Sequence, residues 1–270
     1  YQQKLFHIGV PVLPPPVYAF KMLSHLADFV NYKAGEKTLS LAAGEPSSQE
    51  SYALSEHDSK VELGKYGIPV AREVIVKSEE EAVQFAQSVS EPLAMKIESA
   101  DILHKSDVGG VKLNVKGGQE ARKAYRAILA SVGEKCPDAV INGILMVPML
   151  KPGVEMILGV NNDPQFGPMV MVGMGGVFVE VFKDVALYPA PLSETEAMEM
   201  LQSLKAFKLL NGYRGSKKCD LKALCQTIAG VSRFASENRN HLKELDINPL
   251  FVYPEEEGVG VADALIVKYK

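Results

Sequence analysis

The spacing of apolar and polar positions divides the chain at about residue 54. Before it, an apolar stretch, three consecutive prolines and apolar positions at helical spacing predict one strand and one helix within residues 1–33. A unit of this size is too small to fold alone, so we interpret it as the tail of a preceding domain. Residues 34–53 are rich in Gly, Ser, Ala and Glu without sustained periodicity, which is typical of a linker.

From residue 54 onwards, helix starts are marked by capping residues. Ser55 precedes one predicted helix, and the pairs Ser78 with Glu81 and Ser193 with Glu196 have the spacing of a capping box. Apolar spacing predicts two longer helices, near residues 119–133 and over residues 221–237.

The strands between these helices favour two lobes over a regular parallel sheet. The segments INGILMVPML and GVEMILGVNND are close in sequence, and we expect them to pair. At the end of the chain, HLKELDINPLFVY and VGVADALIVKY are separated by PEEEG, which predicts a hairpin. Predicted helices and strands follow one another in no regular order, which indicates the α+β class, with two α/β lobes.

Composition excludes several classes of function. The chain has 29 basic and 33 acidic residues and no long basic run, which argues against a nucleic-acid surface. Its longest apolar runs are too short to span a bilayer. The cysteines, Cys136, Cys219 and Cys225, lack CxxC spacing, which argues against a disulfide framework or zinc site and favours a reducing, cytoplasmic location. Because the chain begins with Tyr1, we expect it to be part of a longer polypeptide.

The segment HKSDVGGV, which begins at His104, is a first candidate for chemistry. It combines an imidazole, a lysine, a hydroxyl and two glycines without periodicity. Glycines let the backbone approach phosphate, and successive N–H groups form an anion nest. Histidine can also attack phosphorus, because neutral imidazole is present near neutral pH. A polar surface turn explains the same residues equally well.

Two further features are each compatible with a phosphate site, but each also has a simpler structural explanation. Lys96 lies in the apolar strand PLAMKIE, where burial would need an anionic partner, but an edge-strand lysine facing water is the favoured interpretation of this residue alone. Gly173, Gly175 and Gly176 follow an apolar strand and form either a turn beside a phosphate or a tight turn between strands. They match neither a Walker motif nor a Rossmann fingerprint.

Oxygen ligands converge near the end of the chain. Asp246 and Asn248 are two residues apart in ELDINPL and therefore share one face of a strand. Asp263 falls on the predicted hairpin partner. Carboxylate and amide oxygens suit Mg²⁺, and the apolar flanks argue against the alternative of a solvent-facing hairpin.

The stretch ILMVPMLKPGVE suggests a place for a nucleoside. Pro148 removes one strand donor, so this strand is expected to be an edge or to bend there. Free backbone groups over residues 146–150 would then be able to bind an adenine edge, with Glu155 in reach of ribose hydroxyls.

Four segments together resemble one known family. They are DILHKSDVGGVKLNV, GVEMILGVNNDPQFGPMVMVGMGGVFVEVFKDVA, LLNGYRGSKKCDL and ELDINPLFV. They are similar to the ATP-grasp domain, of beta-subunit type, in ADP-forming acyl-CoA synthetases. That family includes ADP-forming acetate–CoA ligase and is related to succinyl-CoA synthetase. The resemblance covers residues 54–270 and implies an ATP-grasp fold that holds a nucleotide between two lobes. The segment GVPVLPPPVYAFKMLSHLADF resembles the end of the CoA-ligase domain that precedes it in fused members.

The resemblance also implies roles for individual residues. His104 would carry phosphate on a moving loop, and the cofactors would be ATP or ADP with Mg²⁺. The nucleotide would be held at its phosphates, adenine and ribose by Lys96, Lys105, Val147, Met149, Glu155, Gly175 and Gly176. The metal would be ligated by Asn248 and Asp263, with Asp246 nearby.

The implied reaction is acyl-CoA + ADP + phosphate giving acid + CoA + ATP, reversibly. It requires a CoA-binding domain or alpha subunit with a second histidine, for which this chain offers no candidate. Two other functions stay open: a regulatory module of a fused protein acetyltransferase, and a ligase that joins a carboxylate to an amine.

Overall fold

The computed structural model describes residues 20, 21, 23, 24, 26, 27, 50–102, 104–176 and 183–270. The chain divides into two compact units, Tyr1–Ala42 and Ala43–Lys270. The described positions of the first unit are helical, as the apolar spacing predicts. The strand predicted before them and residues 34–49 of the predicted linker lie outside the described residues.

The second unit alternates strands with helices. None of the helices in the described ranges has the length and apolar content of a bilayer span. In chain order the elements are β1 Ser51–Ala53, α1 Glu56–Gly64, β2 Val74–Val76, α2 Glu79–Ser88, β3 Leu93–Glu98, β4 Val111–Val115, α3 Gly117–Lys135, β5 Gly143–Pro148, β6 Val154–Asp163, β7 Gly167–Met174, β8 Val185–Pro189, α4 Glu194–Gln202, α5 Phe207–Leu210, α6 Leu221–Glu237, β9 Leu242–Val252, β10 Val259–Val261 and β11 Ala264–Tyr269.

The small lobe is a four-stranded antiparallel sheet in the order β2-β5-β3-β4. Helices α2 and α3 pack on one of its faces, because their apolar stripes and alternate residues of β3 form one buried core. Leu93, Met95 and Ile97 belong to that core. Lys96 and Glu98 therefore project from the opposite face of the sheet.

The large lobe is a seven-stranded antiparallel sheet in the order β1-β11-β9-β6-β7-β8, with β10 paired to β9. Helices α4 and α6 cover the face that carries Met156, Leu158, Leu245 and Ile247 in a second core. Strand β1 consists of Ser51–Ala53, which the sequence assigned to the linker. These three residues are instead part of the sheet, because their backbone pairs with the edge strand β11.

The predicted pairing of β5 with β6 is wrong. Strand β5 lies in the small sheet between β2 and β3, and β6 lies in the large sheet between β7 and β9. Each strand already has two partners, so the short connection over residues 149–153 crosses between lobes rather than closing a hairpin. The predicted hairpin at the end of the chain is confirmed, since β10 and β11 both pair antiparallel with β9.

The predicted capping boxes differ in outcome. At Ser193 the box is complete, because its hydroxyl accepts from the Glu196 N–H and the Glu196 carboxylate accepts from the Ser193 N–H. At Ser78 only the first half forms, with the hydroxyl accepting from the Glu81 N–H at 3.1 Å. The Glu81 carboxylate accepts instead from the Lys77 N–H at 2.7 Å, one residue earlier in the chain.

Candidate functional site

A cleft of about 530 Å³ lies between the two lobes. Part of its lining comes from the loop between β3 and β4, described over residues 99–102 and 104–110, which we call the His104 loop. The rest comes largely from the open face of β9 and the start of β11. The structure thereby brings together five of the residues that the sequence singled out, namely His104, Lys105, Asp246, Asn248 and Asp263.

The His104 loop presents its imidazole to the cleft rather than to a core. His104 is exposed. The Gly110 N–H donates to the Lys105 carbonyl at 2.8 Å, and the Gly109 N–H also donates within the loop. The predicted anion nest is therefore wrong for these two glycine amides, which close the turn instead. A Cβ on Gly110 would lie 2.7 Å from the Ile97 side chain, so the glycine is needed for close packing.

Lys96 is buried, and its ammonium group is fully engaged. It donates to a Glu56 carboxylate oxygen at 2.7 Å, to Asp263 at 3.2 Å and to the Ala262 carbonyl at 3.2 Å. The interpretation of an edge lysine facing water is wrong, because β3 is an inner strand between β5 and β4. The contact with Asp263 ties the small lobe to the large one at the cleft.

Glu56 is a site residue that the sequence interpretation missed. It follows Ser55, the N-cap of α1, and its side chain is completely buried. Its carboxylate accepts from three lysines: Lys60 at 2.7 Å, Lys96 at 2.7 Å and Lys105 at 2.6 Å. We call these four residues the Glu56 junction. No sequence signal marked it, because an acidic residue in the first turn is an ordinary feature of helices.

The electrostatics of the Glu56 junction favour the charged carboxylate. Burial alone would raise the pKa of Glu56, but the charges of Lys96, Lys60 and Lys105 outweigh burial and hold that pKa well below its usual range. Lys60 also donates to Glu73 at 3.0 Å. Burial lowers the pKa of Lys60, yet the two carboxylates raise it above its ordinary value.

The predicted metal ligands meet on the cleft face of the large sheet. Asp246 and Asn248 point away from the core that holds Leu245 and Ile247, as their spacing predicts. The Asn248 N–H donates to the Asp263 carbonyl at 3.3 Å, which fixes the two residues side by side. Desolvation raises the pKa of Asp246, and the negative charges of Asp263 and Glu244 raise it further. The arrangement has excess negative charge that a hard divalent cation would neutralise.

A cation here would need oxygen atoms from outside the chain as well. In the part of the chain that the structure describes, no cluster of three or more His, Cys, Asp or Glu side chains is arranged to hold a metal ion. Two carboxylates and one amide oxygen fit Mg²⁺, which keeps waters and phosphate oxygens in its coordination shell. The residues present therefore fit Mg²⁺ bound together with a phosphate ligand.

Glu155 and the glycine turn form a second group on the same open face of the large sheet. The Glu155 carbonyl accepts from the Gly175 N–H at 2.7 Å. A Cβ on Gly176 would lie 3.4 Å from a Glu155 carboxylate oxygen, and Gly176 has a φ of 61°. The three residues are neighbours, while residues 177–182, which follow the turn, lie outside the described ranges.

The backbone groups expected to bind adenine are partly occupied. Val147 pairs with Ala94 of β3. The Met149 N–H donates to the Pro92 carbonyl at 2.7 Å. The prediction of a free donor at Met149 is therefore wrong, because β3 and the residue before it continue to pair past Pro148. Neither Val147 nor Met149 is among the described residues that line the 530 Å³ cleft.

Glu98 is a buried carboxyl group that the site only partly satisfies. One of its oxygens accepts from the His57 N–H at 3.1 Å, while the other is buried with no hydrogen-bond partner. Desolvation raises the pKa of Glu98 more than the nearby donors and Lys105 lower it. The folded protein therefore binds a proton at Glu98 more readily than the unfolded chain does, and stability falls as the pH rises above the unfolded pKa.

The variant Glu98→Gln should remove this penalty. We expect a gain of about 1 kcal/mol in the free energy of unfolding at neutral pH, because the amide is uncharged and avoids the desolvation that raises the pKa of Glu98. The gain should shrink towards pH 4, where the carboxyl is protonated in both states. Urea unfolding of Glu98→Gln at several pH values tests this, with the exposed Glu199→Gln as control. Equal stability of variant and parent at neutral pH would contradict it.

Comparisons with known proteins match this arrangement. A sequence profile of the ATP-grasp domain matches residues 46–267. The subunit beta of acetate–CoA ligase (ADP-forming) II from Pyrococcus furiosus is 42% identical, over 80% of this chain and 91% of that protein. The ADP-forming acetate–CoA ligase I of Archaeoglobus fulgidus is 38% identical over 96% of this chain, which corresponds to 39% of its own length.

A solved structure is similar to the chain in three dimensions. It is dinucleotide forming acetyl-coenzyme A synthetase 1 of Ca. Korarchaeum cryptofilum, with a TM-score of 0.69 and 42% sequence identity. The alignment covers 80% of this chain and 93% of that one. The protein is in complex with coenzyme A and Mg-AMPPCP, and its phosphohistidine segment points towards the nucleotide binding site.

Proposed function

Because the chain belongs to the ATP-grasp domain family of ADP-forming acetate–CoA ligases, we propose that it is the nucleotide-binding part of an ADP-forming acyl-CoA synthetase. It moves phosphate between ATP and His104 during the reversible reaction of acyl-CoA, ADP and phosphate to acid, CoA and ATP. One observation carries this proposal: an exposed imidazole lines the same cleft as Lys105 and the oxygens of Asp246, Asn248 and Asp263.

His104 accepts the phosphoryl group in this reaction. A lone pair on a ring nitrogen attacks the γ-phosphorus of ATP, a nitrogen–phosphorus bond forms, and the bond from phosphorus to the ADP oxygen breaks. The reverse step regenerates ATP. The exposure of His104 and the turn-like backbone of its loop support this role, since a carrier must leave one centre for another.

Lys96 and Lys105 bind the phosphates of the nucleotide. Lys105 lines the cleft, and the Lys96 ammonium group contacts Glu56 and Asp263, which both line it. Their positive charge offsets the charge of the transferring group. Glu155 binds the ribose, and the neighbouring turn with Gly175 and Gly176 lies on the phosphate side of the nucleotide.

Adenine lies against the backbone of Val147 and Met149, where the chain crosses from one lobe to the other. Because the Met149 N–H already donates to Pro92, this contact uses other backbone groups of the two residues.

Asn248 and Asp263 ligate Mg²⁺, with Asp246 beside them. When bound, the metal neutralises phosphate charge and orients the reacting oxygens. The position of all three side chains in the lining of one cleft supports this assignment, because it brings two carboxylates and an amide oxygen together. Asp263 also holds Lys96, so metal and phosphate sites share one carboxylate.

The complete reaction needs a partner. We propose a CoA-binding domain or alpha subunit that contains a second histidine, because the relative from Pyrococcus furiosus is a subunit beta and that from Archaeoglobus fulgidus is longer than this chain. Residues 1–33 are then the tail of a CoA-ligase-like domain, residues 34–50 a linker and residues 51–270 the ATP-grasp domain, which includes strand β1. Three free cysteines support a cytoplasmic location.

Titration calorimetry with nucleotide tests the proposal directly. We expect the chain to bind ADP and ATP with Mg²⁺, and expect chelation of the metal or Asp263→Asn to weaken binding about tenfold or more. The exposed Asp138→Asn should bind like the parent and serves as control. Absence of affinity for either nucleotide in the presence of Mg²⁺ would overturn the proposal.

A further inference from the structure

We propose that Glu56 is a positioning residue that docks the His104 loop in the cleft through Lys105. This role rests on the proposed function, in which His104 must reach the nucleotide and then leave. Glu56 belongs to α1, forty-nine residues before Lys105, and the two side chains meet at 2.6 Å. The contact fixes the residue next to His104 to a helix that is anchored in the fold.

The two carboxylate oxygens of Glu56 accept hydrogen bonds from different numbers of lysines. Lys60 and Lys96 share one oxygen, and Lys105 holds the other. Lys60 also contacts Glu73, and Lys96 also contacts Asp263. Among the described residues, Glu56 is the one acidic partner of Lys105. The Glu56 junction therefore contains two lysines, Lys60 and Lys96, that are also held by a second carboxylate. The contact of the third, Lys105, depends on the position of the loop.

This division makes release of the loop possible at small cost. Removing the only partner of a buried carboxylate leaves an uncompensated charge, which strongly destabilises a fold. When Lys105 leaves, Glu56 still has Lys60 and Lys96 at 2.7 Å each. The loop can thus be held by a buried ion pair and still detach.

The other anchors of the loop lie at its two ends. At its start, the Val140 N–H donates to the Asp101 carboxylate at 2.8 Å. The remaining contacts lie at its far end. The Ser131 hydroxyl donates to the Val108 carbonyl at 2.7 Å, and the exposed Lys135 ammonium donates to the Asp107 carbonyl at 3.0 Å. These last two contacts come from α3 and hold the part of the loop that leads into β4. Of the loop contacts described, the one between Lys105 and Glu56 is made by the residue adjacent to His104, so it has the most direct influence on the position of the imidazole.

Hydrogen exchange in the absence of nucleotide tests the docking itself. In the full chain, Lys105→Met and Glu56→Gln should each speed exchange of the Asp107 and Gly110 amides about tenfold, because local opening becomes easier. The double variant should exchange no faster than Glu56→Gln alone, since the contact that Lys105→Met removes is already lost when the Glu56 carboxylate is replaced. Exchange that is unchanged in Lys105→Met, or additive effects in the double variant, would overturn the proposal.

A second measurement separates positioning from stability and from nucleotide binding. With ATP and Mg²⁺, the first-order rate of His104 phosphorylation at saturating nucleotide should fall about tenfold in Glu56→Gln, whose side chain has no nucleotide contact in the proposed function, and equally in Lys105→Met, with partial recovery in Lys105→Arg. The exposed Lys112→Met should behave like the parent in both experiments. A lower nucleotide affinity with an unchanged saturated rate would overturn the positioning role. If nucleotide does not bind at all, the proposed function fails, and hydrogen exchange still decides the docking.

Discussion

His104→Asn is expected to lose phosphorylation by ATP at least about 10³-fold, because removal of a nucleophile removes the covalent step itself. Asparagine keeps a polar side chain of similar size but has no ring nitrogen able to bond phosphorus. The imidazole is exposed at the cleft, so the substitution should leave folding unchanged. The measurement is transfer of labelled γ-phosphate to the chain, with Mg²⁺ present and an alkaline quench that preserves phosphohistidine.

The control for this prediction is His241→Asn, a second exposed histidine, which should label like the parent. Nucleotide affinity of His104→Asn should stay within about threefold of the parent, since the lysines and oxygen ligands are untouched. Normal labelling of His104→Asn would show that phosphate is accepted elsewhere and would reject the carrier role of this residue.

Lys96→Met is expected to weaken binding of Mg²⁺–ATP about 100-fold, because a charge-assisted contact to phosphate contributes roughly 1.5–3 kcal/mol. Methionine fills similar volume on the inner strand β3 and removes only the ammonium group. Glu56 keeps Lys60 and Lys105, so its buried charge remains compensated. Calorimetric titration of the variant with ATP and Mg²⁺ measures the change in affinity.

Lys112→Met, on the neighbouring strand β4, is the matched control, because Lys112 is exposed and should have no effect on affinity. Thermal unfolding of both variants shows whether the fold is retained. An affinity of Lys96→Met equal to that of the parent would contradict the phosphate-binding role and leave Lys96 as a purely structural partner of Glu56 and Asp263.

Local sequence determined the features that depend on neighbours along the chain. The complete capping box at Ser193, helix α6 over Leu221–Glu237 and the hairpin around β9 follow from capping chemistry and apolar period. The shared cleft face of Asp246 and Asn248 also follows from alternation in a strand. Each of these requires only a few consecutive residues, so the pattern contains the information.

Tertiary structure decided which segments meet. Strands β5 and β6 are close in sequence but lie in different sheets. Strand β5 pairs with β2 and β3, and β6 pairs with β7 and β9. Lys96 is buried because Asp263, 167 residues away, and Glu56 supply its counter-charges. The N–H groups of Met149, Gly109 and Gly110 donate to backbone carbonyls, and the spacing of residues along the chain did not predict these contacts. A buried ion pair is stable only when both charges arrive together, and that depends on contacts between distant residues that no local pattern records.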